Sequence, residues 1–159
     1  MKLHDWTRIL LLMALVGVAG CRHPAESVKT DPLLNAYDTE VDWTDPQHVI
    51  PLNYQQAQGK RIFYQQCVWC HADATPAGPS NRSNLTPVPP LLNDGAVLNA
   101  ESEENMRNMV TLGGAALGKS AMMPAYGRML SAEEIRSLIA FTRAIAQPPF
   151  QPSARAGLQ

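Results

Sequence analysis

The sequence predicts an all-α fold: a small helical domain preceded by an irregular tether. Two observations carry this. Apolar residues recur at helical spacing in three segments, each bounded by a cap or a stop signal. No strand pattern of any strength appears, and there is no internal repeat. The 159 residues, 45% hydrophobic and 17% charged, suit one domain with extensions. Thirteen prolines and only 6% aromatic residues imply long irregular stretches and a modest core. Thirteen Lys/Arg against fourteen Asp/Glu argue against a nucleic-acid binder, which is usually strongly basic. Three cysteines are too few, and odd in number, for a disulfide framework.

In chain order, Lys2 and Arg8 precede the apolar run Ile9 to Gly20. The run is shorter than the ~20 residues a membrane-spanning helix needs. It reads as a signal peptide over residues 1–20. Its end, Val18-Ala19-Gly20-Cys21, resembles the bacterial lipobox. That resemblance implies cleavage before Cys21, lipid attachment to Cys21 and a periplasmic location. The alternative is an ordinary signal peptide or a short buried helix, with Cys21 a bystander; Asp5 departs from the basic pattern. One acyl chain binds a bilayer marginally, at about 0.8 kcal/mol per buried methylene, whereas two or more hold firmly. Cys21 would therefore anchor the protein without spanning. Arg22 after Cys21, by resemblance to enterobacterial sorting rules, favours the outer membrane over the inner.

Residues 21–52 read as the tether, with Pro24, Pro32, Pro46 and Pro51 and no sustained periodicity. As a coil, ~31 residues would reach about 30 Å. Residues 21–57 hold two basic and six acidic side chains. Such a run is first read as a solvated arm; the sharper reading is contact with a basic partner or with the domain itself. The domain proper is expected over residues 53–147. Asn53 and Gln56 form a capping box, followed by helical spacing through Ala57, Ile62 and Phe63. Gly59 interrupts at a cost of ~1 kcal/mol, so a close backbone contact is expected there. Residues 72–98 read as loop. A second helix is expected over about 101–112, with Glu101, Glu103 and Glu104 favouring its N-terminus, an apolar face of Met106, Met109 and Val110, and a stop at Gly113-Gly114. The third is capped by Ser131 with Glu134 and stopped by Pro148-Pro149. Its buried stripe is Ile135, Leu138, Ile139, Thr142 and Ile145. Residues 148–159 form a C-terminal tail.

The chemistry concentrates at Cys67-Val68-Trp69-Cys70-His71. Cys-x-x-Cys-His is the attachment signature for c-type haem. Two thiols three positions apart at a helix end can each add to a haem vinyl group, and the following imidazole then lies against the iron. A thioredoxin-like dithiol would want a βαβ context, and none is visible. A structural zinc site needs four ligands, and Cys67, Cys70 and His71 supply three. Of the four histidines, His4 lies in the signal and His23 and His48 in the arm, so the domain holds only His71. Methionine remains as a second axial ligand, the cytochrome c arrangement. Candidates are Met106, Met109, Met122, Met123 and Met129.

Residues 54–147 resemble the class I c-type cytochromes. Gly59-x3-Phe63-x3-Cys67-x2-Cys70-His71 resembles that family's first helix, and Ser131-Ala-Glu-Glu134 through Phe141-Thr142-Arg143 its last. The resemblance implies a cytochrome c-like domain around one covalent haem c, with the two helices crossing at Gly59, Phe63 and Phe141. Val88-Pro89-Pro90-Leu91 resembles the segment whose carbonyl accepts the haem histidine's Nδ1–H; the pattern assigns Pro89, with Pro90 as the neighbouring alternative. Met123-Pro124-Ala125-Tyr126 resembles the axial-ligand loop, which assigns His71 and Met123 to the metal, with Met122 adjacent. Ala72, where the family often has Gly, and the loop Asp73 to Thr86 depart from the pattern.

These readings imply an electron-transfer protein rather than an enzyme: a lipid-anchored carrier between redox protein partners, or a subunit of an oxidoreductase complex. With both iron faces ligated, no small-molecule substrate binds the metal. The competing expectations are a haem enzyme or sensor with a labile Met ligand, and an assembly subunit whose haem is structural. The protein-only core being small, the apo-domain is expected to fold poorly.

Overall fold

The computed structural model describes residues 39–75 and 78–151. Strands β1 (Thr39–Val41) and β2 (Val49–Pro51) precede helix α1 (Tyr54–Gln66) and the single turn α2 (Val68–His71). A ribbon of β3 (Ala74–Thr75) and β4 (Gly78–Pro79) leads to a 3-10 turn, Arg82–Asn84. Then come α3 (Gly95–Leu98), α4 (Glu103–Leu112), a 3-10 turn at Ala115–Leu117, and α5 (Ala132–Ala144). The fold of the described residues is mostly helical, as the sequence predicts.

Both long helices start where the capping chemistry puts them. The Asn53 side chain accepts from Gln56 N at 2.9 Å while Gln56 Oε1 accepts from Asn53 N at 2.8 Å. Ser131 and Glu134 repeat the exchange at α5, with Glu134 Oε2 accepting from Ser131 N at 2.7 Å. Helix α4 is capped by Ser102, so it starts two residues later than the acidic run suggests.

Helices α1 and α5 pack together around Phe63 and Phe141, the two largest fully buried side chains, with ring centroids 5.5 Å apart. A Cβ on Gly59 would collide with the Ser137 carbonyl and lie 2.8 Å from Phe141 Cβ. The missing side chain is what lets the backbones approach, which outweighs its ~1 kcal/mol propensity cost. The stripe Ile135, Leu138, Ile139, Thr142 and Ile145 is buried as expected. Each large apolar side chain so buried contributes about 1.5–3 kcal/mol.

The structure corrects the reading of residues 39–52 as tether. They form an antiparallel hairpin, Glu40 opposite Ile50, that belongs to the core: Ile50 and Leu52 are buried, and Trp43 meets Phe63 at 5.4 Å. Each strand has three residues, too few to show alternation, and Glu40 and Asp42 point inward, which disguises the apolar face. The sharper reading of the acidic run therefore holds for these two residues. Glu40 pairs with Lys60 Nζ at 3.1 Å, and Asp42 Oδ2 accepts from Gln147 Nε2 at 2.9 Å, beyond the end of α5. The hairpin also brings His48 into the domain, its Nδ1 3.2 Å from Asp42. At the other end, Pro148 O accepts from Asn99 Nδ2 at 2.9 Å, and Arg143 lies 4.1 Å over the Phe150 ring, so the first residues of the tail are also packed.

Burial pushes the Asp42 carboxyl up, but bonds from Thr44 Oγ1 and N, and from His48, outweigh it and hold the group below its ordinary 3.8. A carboxyl depressed in the fold stabilises above its unfolded pKa, and the contribution drains as pH falls through the folded value. Asp42→Asn is therefore expected to flatten the fall in melting temperature between about pH 5 and about pH 3. An equally steep fall in the variant would show that the carboxylate contributes nothing.

Candidate functional site

The site grows from the end of α1. Cys67 is its C-cap, its N–H donating to Phe63 O at 2.8 Å. The Cys67 carbonyl then accepts from Cys70 N at 3.1 Å and His71 N at 3.0 Å, so a single turn carries both thiols and the imidazole. Burial, with the neighbouring Cys70 adding to it, pushes the Cys67 thiol up to about 12. A catalytic dithiol needs a depressed thiol pKa, and the described residues contain only two short antiparallel ribbons rather than a βαβ unit. No group of three His, Cys, Asp or Glu side chains among the described residues is arranged to hold a metal ion.

His71 Nδ1 lies 2.9 Å from the carbonyl of Pro90. The bond makes Nδ1 the proton carrier and leaves the Nε2 lone pair for a metal. Burial lowers the His71 pKa and Arg82 adds to this, against the opposing pull of the Pro90 bond, so the ring is held neutral. The assignment of this carbonyl to Pro89 is corrected: Pro89 O instead accepts from Arg82 Nε at 2.7 Å. Adjacent proline carbonyls point different ways along an extended strap, and Pro90's is the one facing the imidazole.

The methionine loop is fixed to the end of α4. Gly113 turns the chain at φ +78°, and a Cβ there would lie 2.8–2.9 Å from backbone atoms of Met123, Pro124 and Ala125. Gly114 N donates to Met123 O at 2.9 Å, and Tyr126 N to Val110 O at 2.9 Å. Met122 is 67% exposed, while Met123 is partly buried. The buried Tyr126 sends its hydroxyl to Gln66 O at 3.0 Å, tying this loop to the residue before Cys67. Burial, reinforced by the two thiols, raises the Tyr126 pKa. Sequence reasoning gave Tyr126 no role and missed Arg82. Arg82 had a signal: it is the one Lys or Arg between 62 and 106.

This donor set fits a covalent haem: two unpaired thiols on one turn, a neutral imidazole, and a thioether loop tied to the same helix end. The apolar face of α4, Met106, Met109 and Val110, is only partly covered by protein and suits an apolar macrocycle. A family model described as cytochrome c oxidase, cbb3-type, subunit III matches residues 55–141. The chain belongs to this family. No curated protein and no solved structure matches.

The matched stretch of this c-type cytochrome runs from α1 into α5 and contains Cys67, Cys70, His71 and Met123; the hairpin lies before it. The cofactor is covalently bound haem c, which Cys67 and Cys70 would hold and which supplies a one-electron couple when bound. Of the cytochrome's own residues, Cys67 and Cys70 would hold the haem, and the Pro90 carbonyl orients His71 toward it. Cys21 and the signal segment lie outside the described residues, and no helix among those described is long and apolar enough to cross a membrane.

Proposed function

We propose that this cytochrome is a monohaem electron carrier of class I type, its iron ligated by His71 and Met123, held at a bacterial membrane from the periplasmic side by lipid on Cys21. The observation that carries the reading is the Nδ1–Pro90 bond, which leaves a neutral Nε2 for the iron, next to a methionine loop tied by Tyr126 to the same helix end. The greater burial of Met123 favours it over Met122. His/Met ligation leaves no site for substrate on the metal and raises the potential, which suits exchange with protein donors and acceptors. Docking of that kind uses small interfaces, under about 1,200 Å². The lipobox-like Val18–Cys21 supports export and anchoring, and Arg22 favours the outer membrane. The name of the matched family supports a second reading, a fixed subunit of an oxidase complex.

Optical spectra of the exported protein test the ligation. A Met–Fe(III) charge-transfer band, with no binding of CO or cyanide, is expected. Met123→Ala should abolish the band and admit both ligands, and Met122→Ala should leave them unchanged; the reverse result moves the ligand to Met122, and a five-coordinate wild type overturns the carrier. Extraction in mild detergent separates the two assemblies. A stoichiometric partner that co-purifies makes the protein a fixed subunit.

A further inference from the structure

The loop Asp73 to Thr86 departs from the class I pattern, yet it returns to the Cys67–His71 turn repeatedly. Asn81 N donates to Trp69 O at 2.9 Å, and Ser80 Oγ donates to Ala72 O. Arg82 stands at its centre. Nε donates to Pro89 O at 2.7 Å, and Nη1 lies 2.8 Å from Asp73 Oδ1. The Arg82 side chain is 21% exposed, so the fork is largely shielded from water. Pro89 and Pro90 have no N–H, so their carbonyls are the only polar handles on this part of the strap. One is held by Arg82 and the other meets His71.

We propose that Arg82 is a positioning residue for His71: by holding the Pro89 carbonyl it fixes the Pro90 carbonyl against Nδ1–H, and so sets the donor strength of Nε2 toward the haem iron. The proposal rests on His71 being the axial ligand. A firm Nδ1–H bond makes the imidazole a stronger donor, which favours ferric iron and lowers the potential. The charge on Arg82 acts the other way, favouring ferrous iron. Geometry and charge must therefore be separated.

Arg82→Lys keeps the charge but loses the planar fork that reaches two partners at once. Arg82→Gln loses both. Asp73→Asn, at a side chain 58% exposed, weakens the clamp with little risk to folding. The readouts on the haem-loaded protein are the midpoint potential and, by NMR of the ferrous state, the exchange rate of the His71 Nδ1 proton. Proton exchange should accelerate about tenfold or more in both Arg82 variants and by less in Asp73→Asn. The potential of Arg82→Lys should rise toward a tenfold shift of the one-electron equilibrium, about 59 mV. Unchanged exchange in all three variants overturns the proposal. So does a potential that falls in Arg82→Gln and stays put in Arg82→Lys, since charge alone would then act. Failure of the underlying reading looks different: the wild-type protein would show no histidine-ligated low-spin haem.

Discussion

The Cys67→Ala, Cys70→Ala double variant is expected to carry no covalent haem and to lose its cooperative thermal transition. Among the described residues the largest fully buried side chains are only Phe63 and Phe141, both on the α1–α5 contact. No residue of α4 is fully buried, although Met106, Met109 and Val110 form a continuous apolar face. A domain of this size is stable by about 5–15 kcal/mol. Where a bound group is assembled only in the fold, its binding free energy becomes folding free energy. The loss should therefore be several kcal/mol, comparable with the whole margin. Alanine is the right replacement because Cys67 is buried, and a serine hydroxyl there would add a desolvation cost of about 1–3 kcal/mol. Mass spectrometry and circular dichroism melts check both halves. A haem-free variant that melts cooperatively near the wild-type temperature would show that the α1–α5 contact suffices alone.

What the sequence revealed was local. Asn53 with Gln56, and Ser131 with Glu134, are caps whose bonds span three residues, so their spacing carries the signal. The Cys67–His71 turn is read the same way, because one helical turn decides where the three side chains stand. What stayed hidden depends on contacts between distant segments. Two adjacent prolines look equivalent in a sequence, and only the path of the strap, fixed from Arg82 seven residues earlier, decides which carbonyl reaches His71. Tyr126 reaches Gln66 across sixty positions. The hairpin hid for another reason. Two of its inward residues, Glu40 and Asp42, are carboxylates, which hydropathy assigns to solvent, and their partners, Lys60 and Gln147, lie outside the strands.

That hairpin supplies the second large effect. Glu40→Ala is expected to destabilise the domain by about 3–5 kcal/mol, the usual cost of breaking a buried ion pair from one side. Glu40 is 2% exposed. Its carboxylate lies 3.1 Å from Lys60 Nζ and accepts from Tyr64 Oη at 3.1 Å, Trp43 Nε1 at 3.3 Å and Val41 N at 3.2 Å. Lys60 Nζ also donates to the Thr39 carbonyl at 2.5 Å, and the substitution takes the Glu40 carboxylate from its side. Glu40→Gln preserves an acceptor for Tyr64 and Trp43 while removing the charge, so it should cost less. Lys60→Met in the Glu40→Ala background removes the cation as well and should recover part of the loss, because paired removal avoids a buried uncompensated charge. Denaturant titration of the wild type, Glu40→Ala, Lys60→Met and the double variant closes the cycle. The haem spectrum in native buffer should stay that of the wild type, since the bonds that fix His71 and the Met123 loop involve no hairpin residue. A Glu40→Ala cost below about 1 kcal/mol, the range of surface pairs, would mean that Ile50, Leu52 and Trp43 hold the hairpin by packing alone.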